Sequence, residues 1–193
     1  MRRAKLPATA WAVLLVGIGL TVLASCTGDD APTAPAAVPT SHLPVATPEF
    51  DGSREPVDVE PSGQSLALLV DVRTASHGGF DRVVFEFDTS RPGYRVEYVS
   101  PPIATCGSGL PVEVAGAAFL QVRMSPAAAH NDAGLLTFDR QEITPGLPII
   151  LEVVQTCDFE GEVTWVAALT AEVDFIVSPV PGPFRVIVDV ARP

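Results

Sequence analysis

Lysine is almost missing from this chain of 193 residues: Lys5 is the only one, and the remaining positive charge rests on eleven arginines. Against these 12 cations stand 23 acids, for a formal net charge of -11 and a sequence pI near 4.5. Neutralising phosphates takes a clustered cationic face, so the balance argues against a nucleic-acid partner. Cysteine is scarce, with three residues, and so is histidine, with three. None of them has metal-ligand spacing, which leaves little material for a metal centre or a cysteine nucleophile; neither metal nor cofactor is expected. Hydrophobic residues reach 47%, but one N-terminal apolar run and abundant alanine inflate the figure, and it does not describe a membrane-embedded bundle. After that run a single domain is expected.

Residues 1–26 read MRRAKLPATAWAVLLVGIGLTVLASC. Arg2, Arg3 and Lys5 make a cationic start, Trp11 to Leu23 an apolar core, and small residues precede a cysteine, the order of an export signal. The alternative is an uncleaved membrane helix, because the apolar stretch with its flanks approaches the roughly 17 to 25 residues that span a bilayer. Leu23-Ala24-Ser25-Cys26 resembles the lipobox of bacterial lipoproteins, in which the cysteine thiol takes a diacylglyceryl group and becomes the first residue of the mature chain. That resemblance implies a signal peptide over 1–25, lipidation of Cys26, and a protein anchored to the membrane on its extracytoplasmic face. Two or more acyl chains on one residue give stable anchoring where one would be marginal.

From Thr27 to about Gln64 the composition turns to Pro, Ala, Thr and acid, with seven acids against Arg54 alone. No hydrophobic period survives there, so residues 26–64 are expected to be the lipidated cysteine followed by a disordered tether. Its 38 residues would span roughly 35 Å as a coil and about 115 Å as extended polyproline.

Residues 65–193 are different. Short β-rich runs alternate with Gly, Pro and Ser punctuation. In LALLVDVR, the residues Leu66, Leu68, Val70 and Val72 share a face opposite Asp71 and Arg73. Val83, Phe85 and Phe87 oppose Arg82 and Glu86, and Tyr94, Val96 and Tyr98 oppose Arg95 and Glu97. Further strands are expected around 112–115, 118–124, 135–139, 149–156, 162–170, 173–177 and 184–190, with Trp165 as a core anchor. Only residues 125–132, SPAAAHND, invite a helical turn, with Ser125 as cap and Pro126 at the first helical position. The expected fold is all-β, a two-layer β-sandwich, because each sheet needs a second apolar face to cover its own.

Arg82-Val83-Val84-Phe85-Glu86-Phe87 is echoed by Arg185-Val186-Ile187-Val188-Asp189-Val190, 103 positions later. Either chance in a valine-rich chain explains the echo, or the two are equivalent central strands of a pseudo-symmetric sandwich with Phe85 and Val188 both facing the core.

HGGFDRVVFEFD, RPGYRVEYVSPPI, DFEGEVTW and PFRVIVDVA together resemble the AMIN-like domain of actinobacterial envelope lipoproteins, over most of residues 66–191. The resemblance implies a β-sandwich and a non-catalytic extracytoplasmic role, since AMIN domains are associated with peptidoglycan or envelope targeting. The partners it implies are peptidoglycan or an envelope protein, with the membrane held through the lipid.

Cys106 and Cys157 are the cysteines left after Cys26 is lipidated, and an exported location permits a disulfide between them; two buried thiols are the alternative. His77-Gly78-Gly79 is similar to an esterase oxyanion turn and Ser108 lies between glycines, but Cys106 stands where a nucleophile elbow needs glycine. His77 is more simply a turn residue. Asp158, Glu160 and Glu162 flank Gly161 in the manner of calcium ligands, yet their spacing fits no EF-hand loop and a solvated hairpin turn explains them better. His42 lies in the tether and His130 in a polar turn, each without an expected partner. Eight arginines meet sixteen acids in residues 65–193, which disfavours anionic wall polymers. Glycan recognition would then fall to Tyr94, Arg95, Tyr98 and Arg91, although the tyrosines also read as core. The expectation is a lipid-anchored, non-enzymatic binding or targeting module of the bacterial cell envelope. Its alternative is a protein-interaction lipoprotein that regulates an envelope enzyme or receptor without binding glycan.

Overall fold

The computed structural model describes residues 49–88 and 90–193. The expected signal peptide, Cys26, His42 and the expected tether through residue 48 lie outside the described residues. Eleven strands follow one another: β1 (Val57–Val59), β2 (Ala67–Ser76), β3 (Phe80–Phe87), β4 (Gly93–Val99), β5 (Ala118–Ser125), β6 (Ala127–Ala128), β7 (Glu142–Ile143), β8 (Ile150–Phe159), β9 (Glu162–Leu169), β10 (Phe175–Val180) and β11 (Arg185–Ala191). They form a six-stranded sheet, β1-β4-β5-β9-β8-β7, and a five-stranded sheet, β10-β11-β3-β2-β6. The β-sandwich expected from the alternating pattern is the fold observed.

The inner faces meet around Trp165. Its ring tilts against Phe85 of the opposite sheet at 6.2 Å and against Phe138 at 6.1 Å. Phe87, Leu69, Leu120, Met124 and Ile150 are likewise fully buried, and each such side chain is worth about 1.5 to 3 kcal/mol relative to exposure.

The echoed segments are neighbours. β3 and β11 pair antiparallel near the middle of the five-stranded sheet, with Arg82 opposite Asp189 and Glu86 opposite Arg185. Antiparallel pairing of two copies of one pattern brings the arginine of each copy opposite the acid of the other. Phe85 and Val188 both face the core, as expected. The repeat therefore marks a local two-fold between adjacent strands.

Four expectations need correction. On β2 the core takes Ala67 and Leu69 rather than Leu66, Leu68 and Val70, and a bulge between Leu69 and Asp71 returns Val72 to it. Residues 125–132 form no helical turn: β6 pairs in parallel with Ala67 and Leu68, and Ala127 N donates to Gly161 O. Ala127, Ala128 and Ala129 are all buried, so tertiary pairing overrides the local preference of Pro126 and the alanines. Residues 112–115 and 135–139 are connections rather than strands: the first follows the isolated bridge Ala104–Pro111, and the second holds only the bridge His130–Leu136. Ordered structure also begins before residue 65, because β1 pairs with β4 and Ser53 bridges to Phe175. Alternating Val57, Asp58 and Val59 fit the β4 edge despite their Pro-rich surroundings.

The connection from β4 to β5, residues 100–117, decides what the outer face of the six-stranded sheet can do. It crosses to β8, where Cys106 N donates to Thr156 O, and returns past Glu152, whose carboxylate accepts from Ala115 N. Under this strap Val154, Val166 and Ala168 are buried although they face away from the inter-sheet core. β9 is therefore covered on both faces, and its apolar run from Trp165 to Leu169 follows. A Cβ on Gly116 would stand 2.9 Å from the Ala168 Cβ, so glycine allows the strap to return this close to β9.

Candidate functional site

The stretch His77-Gly78-Gly79-Phe80-Asp81 is a structural knot. His77 N donates to Phe80 O and the imidazole stacks on the Phe80 ring at 4.8 Å. Gly79 takes the positive φ of +97° that the turn requires. Asp81 is completely buried and accepts from Ile149 N at 2.8 Å, which ties the start of β8 to the five-stranded sheet. Arg192 donates to the turn carbonyls of His77 and Phe80. Ser108 sits in the strap and shares a hydrogen bond with Thr105 Oγ1, and among the described residues neither His77 nor His130 bonds it.

The residues expected to contact glycan are spent elsewhere. Tyr94 is 5% exposed and lies in the core. Tyr98 meets Phe175 edge-on and exchanges hydrogen bonds with the backbone of Val173. Burial pushes both phenols above their ordinary pKa. Arg95 makes a two-pronged bond to Glu97 and a third to Asp58, and these bonds hold its guanidinium pKa above the ordinary range. Arg91 lies over the Phe184 ring.

The acids of the β8–β9 hairpin do not converge. Asp158 accepts from Ala129 N and pairs with His130 Nδ1 at 2.8 Å. His130 therefore has a partner that its turn position did not reveal, and Asp158 is not a solvated turn residue. Glu162 bonds Thr164 Oγ1 and faces Arg123 at 3.7 Å. Glu160 and Gly161 form the two-residue turn, with φ of +50° and +78°; left-handed geometry at both positions suits the twist of a tight hairpin. Among the described residues no group of three His, Cys, Asp or Glu side chains could hold a metal ion.

Cys106 and Cys157 are joined in a disulfide with Cα atoms 5.1 Å apart. The bridge pins the strap to β8, and two shallow grooves of about 440 and 400 Å³ open beside it. Both are lined by the bridge, by Gly107 and by Phe159. Phe159 is 55% exposed, the one aromatic side chain among the described residues that presents a large apolar surface to solvent. The larger groove also takes in Gln141 and Gln155. Gln155 Nε2 is buried and has no hydrogen-bond partner among the described residues. Phe159 thus stands beside Gln141, while Gln155 pairs across from Trp165 and its Nε2 is closed to solvent. Sequence reading passed over all three residues. Alternation carried back from Trp165 through the hairpin would have placed Phe159 on the outer face, but the groove depends on the strap.

The model of the AMIN-like domain family matches residues 67–192. No curated protein matches the chain, and no solved structure does. The match spans β2 to β11, takes in both sheets, and runs from just before the buried knot to Arg192 itself: the chain belongs to the AMIN-like domain family.

Proposed function

We propose that this protein is a non-enzymatic binding or targeting module of the bacterial cell envelope, associated with peptidoglycan. In this reading Cys26 carries the lipid and residues up to the first strand hold the domain off the extracytoplasmic face of the membrane. The observation that carries it is the AMIN-like match across the whole sandwich. Two further features support it. The Cys106–Cys157 bridge fits an oxidising compartment. The groups that chemistry would need are engaged singly: His77 on Phe80, His130 on Asp158, Ser108 on Thr105. Catalysis asks for a nucleophile or base within reach of a partner in one cleft.

The test has two arms. The full chain, purified in mild detergent, is expected to sediment with insoluble peptidoglycan. A chain that stays in the supernatant while capturing an envelope protein would favour the regulatory lipoprotein instead. Cys26→Ala is expected to abolish incorporation of a fatty-acid probe and to leave an unprocessed or shed protein; undiminished labelling of that variant would remove the anchor.

A further inference from the structure

The strap of residues 100–117 is held down by little besides its bridge. Among those residues only Ile103 is buried; Thr105, Val112 and Val114 are part-buried and the rest are exposed. Its backbone bonds to the sheet run from Cys106 N to Thr156 O, from Ala115 N to the Glu152 carboxylate and from Ala117 N to Leu169 O. Others, such as Thr105 N to Leu110 O and Val112 N to Ile103 O, stay within the strap. Fixing a segment costs backbone entropy at every residue, and burial has to offset it. One buried isoleucine does not do so over a connection of this length, so the covalent pin decides whether the strap lies down. Beneath it Val154, Val166 and Ala168 are kept from water.

The pin is within reach of solvent. Cys106 is exposed while Cys157 is only 7% exposed, and both grooves beside the bridge are lined by the two cysteines. Exposed disulfides are the labile and regulatory class.

We infer that the Cys106–Cys157 bridge is a redox latch: reduction by a dithiol lifts the Cys106 end of the strap and opens Val154 and Val166 to solvent, while the return past Gly116 keeps its own hold on β9. A thiolate of the reductant attacks Cys106 Sγ, the S–S bond breaks, and Cys157 leaves as a thiolate and takes up a proton. Cys106 is then held in a mixed disulfide. The second thiol of the reductant loses its proton, attacks the reductant's own sulfur in that mixed disulfide, and frees Cys106 to take up a proton. The bridge has gained two electrons and two protons, and the dithiol has become a disulfide. Asp158, Glu160 and Glu162 line the grooves through which the reductant comes. Their charge opposes an anionic thiol and favours a neutral or cationic one.

Hydrogen exchange on the full chain in mild detergent, before and after dithiothreitol, is the test. Reduction is expected to speed exchange of residues 101–113 by roughly tenfold or more, to leave β2 and β3 protected, and to be reversed by reoxidation. The Cys106→Ser/Cys157→Ser variant should show the lifted strap without reductant. Ile103→Ala, which removes the buried side chain of the strap and leaves the bridge, should open it far less. Exchange that is indifferent to reduction overturns the latch, and so does an Ile103→Ala strap that opens as far as the reduced one. Loss of protection throughout both sheets on reduction also overturns it, because the bridge would then be a staple of the whole fold. Rates of reduction by cysteamine and by glutathione, compared at equal thiolate concentration, test the choice of reductant. Cysteamine should be faster at low salt, and its advantage should vanish at about 1 M salt; equal rates at low salt overturn the role given to the acids.

Discussion

Asp81 and Arg192 join the beginning of β3 to the last residues of the chain. The carboxylate, completely buried, accepts from Arg192 Nε at 3.0 Å and lies 2.9 Å from Nη2, and its other oxygen takes the amide of Ile149 at the entrance to β8. One side chain therefore holds the turn after β2, the C-terminus and the second sheet together. Removing Arg192 strands a buried carboxylate, and breaking such pairs typically costs about 3 to 5 kcal/mol. Arg192→Ala is thus expected to lower the urea midpoint far more than Arg54→Ala, whose partner Asp174 is half exposed and whose loss should cost less than about 1 kcal/mol. Equal midpoints for the two variants would contradict the knot.

Arg82 and Asp189 supply a second, independent measurement. The guanidinium makes parallel bonds of 2.6 and 2.7 Å to the carboxylate across β3 and β11, and the hydrogen bond to Asp189 raises the pKa of Arg82 above its ordinary value. A double-mutant cycle with Arg82→Ala and Asp189→Ala should return a coupling of about 1 to 2 kcal/mol, within the range for contacting residues. A coupling near zero would mean that the echoed charges are decoration on a sheet held by its valines.

That pair also shows what the sequence carries and what it does not. Arg and acid at alternate positions of two valine-rich segments are visible without coordinates, because period-two burial is a local property. The strap is not local. Val112 and Val114 alternate as a strand would, yet Val112 N donates to Ile103 O and the segment folds into a connection across the outer face of its own sheet. Ala127 to Ala129 read as a helical turn until β2 and the turn between β8 and β9 claim their backbones. His130 and Asp158 are 28 positions apart, and no spacing rule joins them. Phe159 lies next to a legible turn, but its exposure and its groove follow from where Cys106 is pinned.

Acid should reveal the edge of the six-stranded sheet. The hydrogen bonds from Arg95 hold Glu97 below its ordinary pKa of 4.5. A carboxyl with a depressed folded pKa stabilises the fold fully above its unfolded pKa, and that contribution disappears as pH falls through the folded value. Glu97→Gln should therefore unfold at lower urea than the unaltered chain at pH 7, and the gap should narrow as the pH is taken below about 4.5. A gap that stays constant down to pH 2, or widens, would assign the effect to packing instead.

The disulfide and Gly116 are two separate fastenings of one strap, and each can be loosened by itself. The bridge closes a sequence separation of 51 residues, for which the chain-entropy model gives roughly 4 kcal/mol of stabilisation. Thiol alkylation of the native chain should accordingly mark neither Cys106 nor Cys157 until a reductant is added, and reduction should lower the urea midpoint. Gly116→Ala works at the other end of the strap. Its new Cβ would press on Ala168 at 2.9 Å and on the backbone of Leu169 at 3.2 Å, and overpacking of this kind costs about 1 to 3 kcal/mol. If the two fastenings act independently, the losses of urea midpoint in the Cys106→Ser/Cys157→Ser and Gly116→Ala variants should add when the changes are combined, while each variant keeps the circular dichroism of a β-sandwich. A combined loss well short of the sum would show that the strap lets go of Val154, Val166 and Ala168 as one piece.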